Sequence, residues 1–362
     1  MFYDREKEQK QIINILNEKS SHIRFIYGPI NSGKTNLIMH ILKKLPKEFV
    51  PFYVNFRWRD VSDDGDFLNV LFSVDRKTKL QTAGQYVNEF LKSGSELIEL
   101  ATGIPIPLSI FDMLFKAKDK NEDAFKYLKE LFNSIVEQKK KPIFILDELQ
   151  VIKEITNSKG NLILEKLFNF LVGMTKETHL CYCFVISSDS LFINQIYSNS
   201  RLEGRSEYFL VDDLDIKRAF EVYEHFGFSN KQIVWETIGG KFGDMLILKS
   251  KLVQGFELEE SLENFIKAQA SRLKMIDGKL FNNNEKNCEE KMSFIFNVAE
   301  KKSLKYNPRT MSKNLNFWVD KNLLFFDPVE NIIKPQSQLI FKGIKEVITE
   351  REVECFMNAN NS

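Results

Sequence analysis

The most informative segment of the chain is Gly28-Pro29-Ile30-Asn31-Ser32-Gly33-Lys34-Thr35, followed by Asn36. It fits the pattern of a glycine, four residues and then Gly-Lys-Ser/Thr, which is typical of a phosphate-binding loop. Glycines let the backbone curl so that several amide N–H groups point at one anion, and the following helix adds partial positive charge. We therefore predict contacts to a nucleotide from Gly28 through Asn36. Lys34 would reach the β- and γ-phosphates, and the Thr35 hydroxyl would coordinate Mg²⁺.

Both flanks of this loop have the secondary structure that the motif requires. The β-type run His22–Tyr27 ends at the first glycine. After the loop, apolar residues recur at three- and four-residue steps until Pro46, which predicts an amphipathic helix. A glycine-rich turn without a ligand is the alternative, and the strand before and the helix after the loop favour phosphate binding.

A second apolar run, Ile143–Leu146, is followed directly by two carboxylates, Asp147 and Glu148. Ligands bind at the carboxyl ends of the strands in parallel α/β sheets, so this pair is expected near the phosphates. Asp147 is predicted to hold Mg²⁺, and Glu148 to polarise an attacking water as general base. For an isolated Asp-Glu pair, a strand ending in a charged loop would be the better interpretation, but the preceding phosphate loop argues against it.

Polar residues after the next apolar run are further candidates. Ser187, Ser188 and Asp189 end a predicted strand, and Ser187 in particular would sense the γ-phosphate or orient water, with ordinary turn chemistry as an equal alternative. Arg201 and Arg205 follow. Arg205 is predicted to supply transition-state charge, either within its own chain or to a neighbouring subunit. A surface arginine without that role is the alternative.

The identity of the base is indicated by what the sequence lacks. No Asn-Lys-x-Asp motif for guanine follows the loop, since Asn230-Lys231-Gln232-Ile233 has no carboxylate at the required position. An ABC-type signature loop and the clustered arginines of a small-molecule kinase lid are also missing. The predicted cofactors are therefore ATP and Mg²⁺.

The order of predicted elements indicates the domain organisation. Up to residue 212, strands alternate with helices, which predicts an α/β domain with a parallel sheet and right-handed crossovers. Residues 213–285 form helices only. Residues 286–362 give two helices and then two β-type runs around Asp327-Pro328, which predicts a winged helix.

The tail carries a local excess of basic residues that precede the predicted wing. These residues would contact DNA phosphates, and Asn314 and Asn316 are candidates for reading bases. A solvated face on a domain used for protein contacts or self-association is the alternative. The basic residues are Lys301, Lys302, Lys305, Arg309, Lys313 and Lys321.

Bulk composition sets broad limits. The chain has 362 residues, of which 43% are hydrophobic, so two or three folded domains are expected. Lys and Arg number 51 against 50 Asp and Glu, which gives no global attraction to nucleic acid or to a membrane.

The apolar stretch Gly103–Phe115 contains two prolines and is too short to span a bilayer, so a buried turn and helix start are predicted. Cysteines without metal-ligand spacing and a charged amino terminus predict a cytoplasmic protein with reduced thiols.

Taken in order, these features resemble the archaeal ATPase family, in the STAND branch of P-loop ATPases related to AAA+ proteins. The resemblance rests on the phosphate loop and on four further matches, which are Phe2-Tyr3-Asp4-Arg5-Glu6, Leu146–Gln150, Gly204-Arg205 and Ile238-Gly239-Gly240. It implies a five-stranded parallel sheet with an extra strand between the phosphate-loop strand and the Asp147 strand. It also implies that Arg5 and Glu6 lie near the adenine and that Gly239-Gly240 close a helical lid.

One position departs from the family pattern, and the family leaves the biological task open. Members commonly have a proline shortly after the paired glycines, where this chain has Lys241-Phe242-Gly243. The resemblance implies a nucleotide-controlled switch or a DNA-associated ATPase. The leading hypothesis is an Mg²⁺-dependent ATPase whose cycle repositions the winged helix. The alternatives are a DNA-binding protein with ATP as a loading signal or structural ligand, and a partner-binding module that holds nucleotide without cleaving it.

Overall fold

A computed structural model of the chain describes residues 5–75, 103–157, 160, 162–282 and 287–360. The chain divides into two compact units, and the phosphate loop is split between them. The first unit comprises Met1–Tyr27 and Lys34–Leu210, and the second comprises Gly28–Gly33 and Val211–Ser362.

A five-stranded, wholly parallel sheet forms the centre of the first unit. With the strands numbered in chain order, their order across the sheet is β2-β5-β6-β1-β7. Strands β3 and β4 pair separately. The predicted α/β fold with five parallel strands is confirmed, and β6 is the expected extra strand between the phosphate-loop strand β1 and the Asp147 strand β5. The strands are β1 (Ile23–Tyr27), β2 (Phe49–Asn55), β3 (Phe72–Asp75), β4 (Ile104–Pro107), β5 (Lys141–Asp147), β6 (Tyr182–Ser187) and β7 (Ser206–Leu210).

The central strands read as continuous apolar runs because helices cover both faces of the sheet. Every residue of β1 and of β6 is buried. The helices of this unit are α1 (Glu6–Asn17), α2 (Lys34–Leu42), α3 (Asp64–Leu71), α4 (Leu108–Lys116), α5 (Lys120–Glu137), α6 (Ile163–Val172) and α7 (Ser190–Tyr197).

The proline-containing stretch Gly103–Phe115 folds differently from the sequence prediction in one respect. Its first part is the short strand β4 rather than a turn, and α4 begins at Leu108 as the predicted helix start. Pro105 and Pro107 are compatible with a strand here because, within the described part of the chain, β4 pairs with β3 alone, and its other edge then needs no amide donors.

The second unit is mainly helical and ends in a small antiparallel sheet with the strand order β8-β10-β9. The two predicted β-type runs form β9 and β10, and the Asp327 carboxylate accepts hydrogen bonds from the amides of Val329 and Glu330 in the turn between them. The elements are α8 (Ile216–Phe226), α9 (Lys231–Ile238), α10 (Phe242–Val253), α11 (Leu258–Asn282), α12 (Cys288–Lys301), α13 (Pro308–Asp320), α14 (Gln338–Asn360), β8 (Leu304–Lys305), β9 (Leu324–Asp327) and β10 (Ile332–Pro335).

The polar run Phe281–Asn287 is typical of a linker, but helix α11 extends to Asn282 and so includes the first two residues of that run. Residues 283–286 of that linker lie outside the described part of the chain. The domain boundaries after residues 212 and 285 stay a prediction. Among the described residues, no helix is both long and apolar enough to cross a bilayer.

Candidate nucleotide and magnesium site

The phosphate loop has backbone angles that require glycine at two positions. Gly33 has φ of +94°, in the left-handed region. Gly28 also has positive φ, and a Cβ at this position would lie 2.2 Å from the carbonyl oxygen of Val211. The Ser32 amide donates to the Pro29 carbonyl at 3.2 Å, which closes the turn between them. The sequence pattern is thus matched by a loop that only these glycines allow.

Helix α2 begins at the end of the loop and places the two chemically important side chains in its first turn. Lys34 is buried, at 6% exposure, and Thr35 follows it. Asn36 lies on the exposed side of the helix, so it can contribute its backbone but does not turn its side chain inward.

The Asp147 carboxylate, at the end of β5, is the centre of the site. It is buried, at 1% exposure, and its Oδ2 accepts hydrogen bonds from the Thr35 hydroxyl at 2.8 Å and from the Tyr53 hydroxyl at 2.7 Å. Its Oδ1 is also buried and has no hydrogen-bond partner among the described residues. An anionic oxygen left in this state is a ligand of the kind that Mg²⁺ prefers, and the neighbouring Thr35 hydroxyl is a second one.

Burial raises the pKa of Asp147, while the hydrogen bonds from Tyr53 and Thr35 and the charge of Lys34 oppose the rise. Burial and the Asp147 charge likewise raise the pKa of Tyr53, so this hydroxyl stays a donor. The Tyr53 hydroxyl also accepts from the Asn55 amide at 3.0 Å. A nearby cation would remove the cost of the buried charge on Asp147, which is the role predicted for Mg²⁺.

The Glu148 carboxylate is held by side chains rather than exposed to water. Its backbone is left-handed, with φ of 60°, and it is 8% exposed. Its Oε2 is 2.8 Å from Arg57 and accepts from Gln150 at 2.5 Å. Gln150 in turn accepts from the Ser187 hydroxyl at 2.9 Å. Glu148 and Ser187, both predicted site residues, therefore belong to one hydrogen-bonded network.

The polar residues after β6 have separate tasks. The Ser187 hydroxyl also accepts from the Asp189 amide at 3.1 Å. The Asp189 carboxylate caps α7 by accepting from the amides of Leu191 and Phe192, both at 3.0 Å. Of this group, Ser187 is the one connected to Glu148.

Arg205 does not lie with these residues. Its carbonyl accepts from the amide of Ile23, the first residue of β1, and its guanidinium donates to the Arg201 carbonyl at 2.9 Å. In the parallel register of β1 and β7, this is the amino end of the strands, whereas the phosphate loop follows the carboxyl end. A contact from Arg205 to the γ-phosphate of its own chain therefore does not fit the structure. A role toward a neighbouring subunit stays a prediction.

The remaining predicted positions in the first unit can be located as well. Arg5 immediately precedes α1, is 7% exposed and pairs with Glu8 at 2.9 Å, and Glu6 is exposed. Their proposed place beside adenine stays a prediction. Cys181 and Cys183 are buried free thiols whose pKa is raised by burial, in keeping with core residues.

The predicted basic face of the tail is partly confirmed by exposure and corrected at one residue. All six basic residues, Lys301, Lys302, Lys305, Arg309, Lys313 and Lys321, are exposed. Asn316 is exposed, but Asn314 is buried and donates to Glu290 at 3.0 Å. Asn314 therefore supports packing between α13 and α12, and the prediction that it reads bases is wrong.

Sequence reasoning missed Tyr53, Arg57 and Gln150. Gln150 follows the Asp-Glu pair by two residues and lies within the Leu146–Gln150 match to the family, which does not indicate its contact with Glu148. Tyr53 and Asn55 share one face of β2, with Asn55 opposite Asp147 in the register, so a polar pair at the end of a neighbouring strand was the available signal. Nothing in the local sequence around Arg57 indicates its partner.

Comparison with known proteins places this site in context. The family described as "ATPase domain predominantly from Archaea" matches residues 2–248, and the C-terminal domain of MJ1010-like uncharacterized ATP-binding proteins matches residues 259–348. An uncharacterized ATP-binding protein of Pyrococcus abyssi is 36% identical over 96% of this chain and 99% of its own length. One from Methanocaldococcus jannaschii is 36% identical over 96% of this chain and all of its own length.

A solved structure supports the fold at much lower identity. The Walker-type ATPase PABY2304 of Pyrococcus abyssi has a TM-score of 0.62 at 11% identity, and the match covers 95% of this chain and 96% of that one. At this level of identity the similarity concerns the fold alone.

Proposed function

Because the chain belongs to the family of ATPase domains found predominantly in Archaea, we propose that it binds ATP and hydrolyses it in a Mg²⁺-dependent reaction. The observation that carries the proposal is the Asp147 carboxylate, which is buried beside Thr35 and has one oxygen without a hydrogen bond from any described residue. Relatives that match nearly all of the chain are named as ATP-binding proteins, which supports ATP as the nucleotide.

Each residue of the site has a defined task in this proposal. Backbone amides of the loop Gly28–Gly33, in which Pro29 has no N–H to donate, and the ammonium of Lys34 would bind the phosphates. Thr35 and Asp147 would hold Mg²⁺, which supplies charge neutralisation at the β- and γ-phosphates. Tyr53 keeps Asp147 oriented through its hydrogen bond to Oδ2.

Glu148 is the proposed general base, and in this structure it is restrained. The Arg57 guanidinium and the Gln150 amide both occupy its Oε2, so this oxygen must exchange one of these contacts for a water before it can accept a proton. Arg57 is the more mobile candidate, because 66% of its side chain is exposed. Hydrolysis would therefore be slow until a nucleotide or a partner draws Arg57 away.

A switch function is the finer part of the proposal. The residues Gly28–Gly33 group with the C-terminal unit rather than with the sheet. A change in this loop on phosphate binding would therefore be felt in the unit that also carries the predicted winged helix. This grouping supports a nucleotide-controlled movement of residues 286–362.

The direct test is steady-state phosphate release by the purified protein with ATP, in Mg²⁺ and in excess chelator. We expect turnover that requires Mg²⁺ and is lost in Lys34→Ala, which removes the ammonium beside the phosphates. Lys166→Ala is a matched control, since Lys166 pairs with Asp119 at 3.3 Å and touches none of the site residues described above. Tight ATP binding without turnover, with or without added partners, would instead favour the non-hydrolysing, partner-binding module.

Duplex DNA is a second candidate ligand, and one observation supports it. On α13, Arg309, Lys313 and Asn316 are all exposed and follow four- and three-residue steps, so they share one face. Such a face would contact phosphates and base edges in a groove. The test is duplex affinity at two salt concentrations for the wild type and for Arg309→Ala/Lys313→Ala. Loss of affinity in the variant and a shallower salt slope are expected. Equal binding by both proteins would remove this candidate.

A further inference from the structure

The buried ammonium of Lys241 makes an unexpected contact with the phosphate loop. Lys241 lies between the paired glycines and α10, and it is 4% exposed. Its Nζ donates to the carbonyl oxygen of Ile30 at 2.8 Å, across 211 positions in sequence. Ile30 is in the middle of Gly28–Gly33, so a lysine from the helical region is bonded directly to the backbone of the loop.

The same ammonium is held from a second side by Asp213, whose Oδ1 is 3.4 Å away. A buried lysine is costly unless a carboxylate balances its charge, and Asp213 supplies that charge. With the Ile30 carbonyl on one side and Asp213 on the other, the lysine head is confined to one position. The hydrogen bond restricts the rotation of the Ile30 carbonyl. Because the peptide unit is planar, the N–H of Asn31 is restricted together with that carbonyl.

Packing around Lys241 is tight enough to fix the backbone on both sides of it. A Cβ on Gly240 would lie 1.8 Å from the carbonyl oxygen of Leu214, and the Leu214 amide donates to the Gly240 carbonyl at 2.9 Å. A Cβ on Gly243 would lie 2.7 Å from the Cβ of Asn31, the residue after Ile30. These close approaches hold the lysine and the loop at a set distance, and they explain the glycines on either side of it.

We propose that Lys241, oriented by Asp213, is a positioning residue for nucleotide binding: it fixes the peptide unit between Ile30 and Asn31 so that the Asn31 amide faces the phosphates. The inference rests on the proposed function, because it assigns a task in the same phosphate site. It concerns the position that departs from the usual family pattern, and Lys241 contacts the loop from the carbonyl side rather than binding phosphate itself.

The test compares phosphate-bearing and phosphate-free ligands. Lys241→Met keeps the length and apolar stem of the side chain but removes the donor, whereas Lys241→Arg keeps a cationic donor. The probes are Mg²⁺-ATP and adenosine, with dissociation constants from calorimetry and melting temperatures taken without ligand. Lys249→Met is the matched control, since Lys249 lies on α10, the helix that follows Lys241, and its ammonium stacks on the ring of Phe226.

We expect Lys241→Met to bind Mg²⁺-ATP at least about tenfold more weakly and adenosine with unchanged affinity. Lys241→Arg should recover most of the lost affinity for Mg²⁺-ATP. Lys249→Met should bind both ligands as the wild type does. Equal loss for both ligands would indicate a general structural role and overturn the proposal, as would unchanged ATP affinity in folded Lys241→Met. If that variant does not fold, Asp213→Asn carries the test, and wild-type ATP affinity in it would overturn the proposal. A wild type that binds no ATP would refute the proposed function itself.

Discussion

Asp147 in the first unit and Asp213 in the second are both shielded carboxylates whose pKa is raised by burial, but their charges are balanced differently. Asp147 receives two hydroxyl hydrogen bonds and keeps one buried oxygen without a hydrogen bond among the described residues. Asp213 also has one buried oxygen, Oδ1, without a hydrogen bond among the described residues, but this oxygen lies 3.4 Å from the ammonium of Lys241.

The charge of Asp147 is expected to be balanced by a bound cation, whereas the charge of Asp213 is balanced by a lysine of the same chain. The Asp213 carboxylate already has a cation beside it, the ammonium of Lys241. It therefore contributes to the geometry of the loop that Lys241 contacts. Asp147 accepts hydrogen bonds from two neutral hydroxyls, and the charge of Lys34 only partly offsets the burial that raises its pKa, so an added cation gains more there. Substitutions in the Asp147 cluster should therefore alter metal dependence and chemistry, whereas substitutions around Asp213 should alter loop geometry and stability.

The largest effect is expected at Glu148, next to Asp147. Glu148→Gln keeps the shape and the contacts to Gln150 but cannot accept a proton, so hydrolysis should fall by about 10² to 10³-fold while ATP binding is retained. Phosphate release and nucleotide affinity are measured on the same preparation. Asp244→Asn, near Asp213, is the control and should leave turnover within about twofold. Equal losses in both variants would break the distinction between the two clusters.

The second prediction concerns metal dependence. Asp147→Asn should weaken ATP binding at least about tenfold in Mg²⁺ and change it little in chelator, because only the metal-dependent part of the affinity is lost. Asp213→Asn should weaken binding by the same factor in both conditions. Calorimetric titration of both variants in both buffers decides between them. Mg²⁺-independent loss in Asp147→Asn would contradict the magnesium assignment.

The third prediction concerns stability near the Lys241 contact. Burial and the Asp213 charge raise the pKa of Asp244 to about 6, against the opposing charge of Lys241. The folded state thus holds this proton more tightly than the unfolded chain, and stability falls as pH rises from about 4 to about 6. Asp244→Asn should raise the free energy of unfolding by about 1 to 3 kcal/mol at pH 7.5 and by almost nothing at pH 4.

Denaturant unfolding at both pH values provides the measurement for Asp244→Asn. Asp112→Asn, at an exposed position on α4, is the control for removal of a surface carboxylate. A gain for Asp244→Asn that is the same at pH 4 and pH 7.5 would show that the charge is not its source.

The smallest effect is expected from Arg57. Removing its guanidinium in Arg57→Ala frees one contact of Glu148, so basal hydrolysis should rise by about two- to fivefold, corresponding to less than about 1 kcal/mol for an exposed ion pair. Arg59→Ala is the neighbouring control, since Arg59 donates to the Asn69 carbonyl instead. Reduced hydrolysis in Arg57→Ala would mean that Arg57 assists the reaction rather than restraining the base.

The parts of the fold that depend on local pattern could be predicted. The phosphate loop, its flanking strand and helix, and the Asp147-Glu148 strand end are all encoded within short segments, where spacing and apolar runs are sufficient. The strand order needed the family resemblance, because nothing local places β6 between β1 and β5.

The contacts that give the site its chemistry join residues far apart in sequence, and so they could not be predicted. Tyr53 reaches Asp147 through strand pairing, and Lys241 reaches Ile30 only after the helical unit has folded. Asn314 looked like a surface residue beside basic neighbours, yet it lies on the inner face of α13. The Gly204-Arg205 motif does not indicate at which end of the sheet Arg205 lies, because this depends on the parallel register of β7 with β1.

The most direct test of the account is the melting temperature of the wild type titrated with ATP, in Mg²⁺ and in chelator. Ligand at about a hundred times its dissociation constant adds about 2.7 kcal/mol to the stability of the binding unit, so a rise of several degrees is expected in Mg²⁺. The rise should be clearly smaller in chelator and should lose its Mg²⁺ dependence in Asp147→Asn. A melting temperature that does not move at about millimolar Mg²⁺-ATP would contradict the existence of this site.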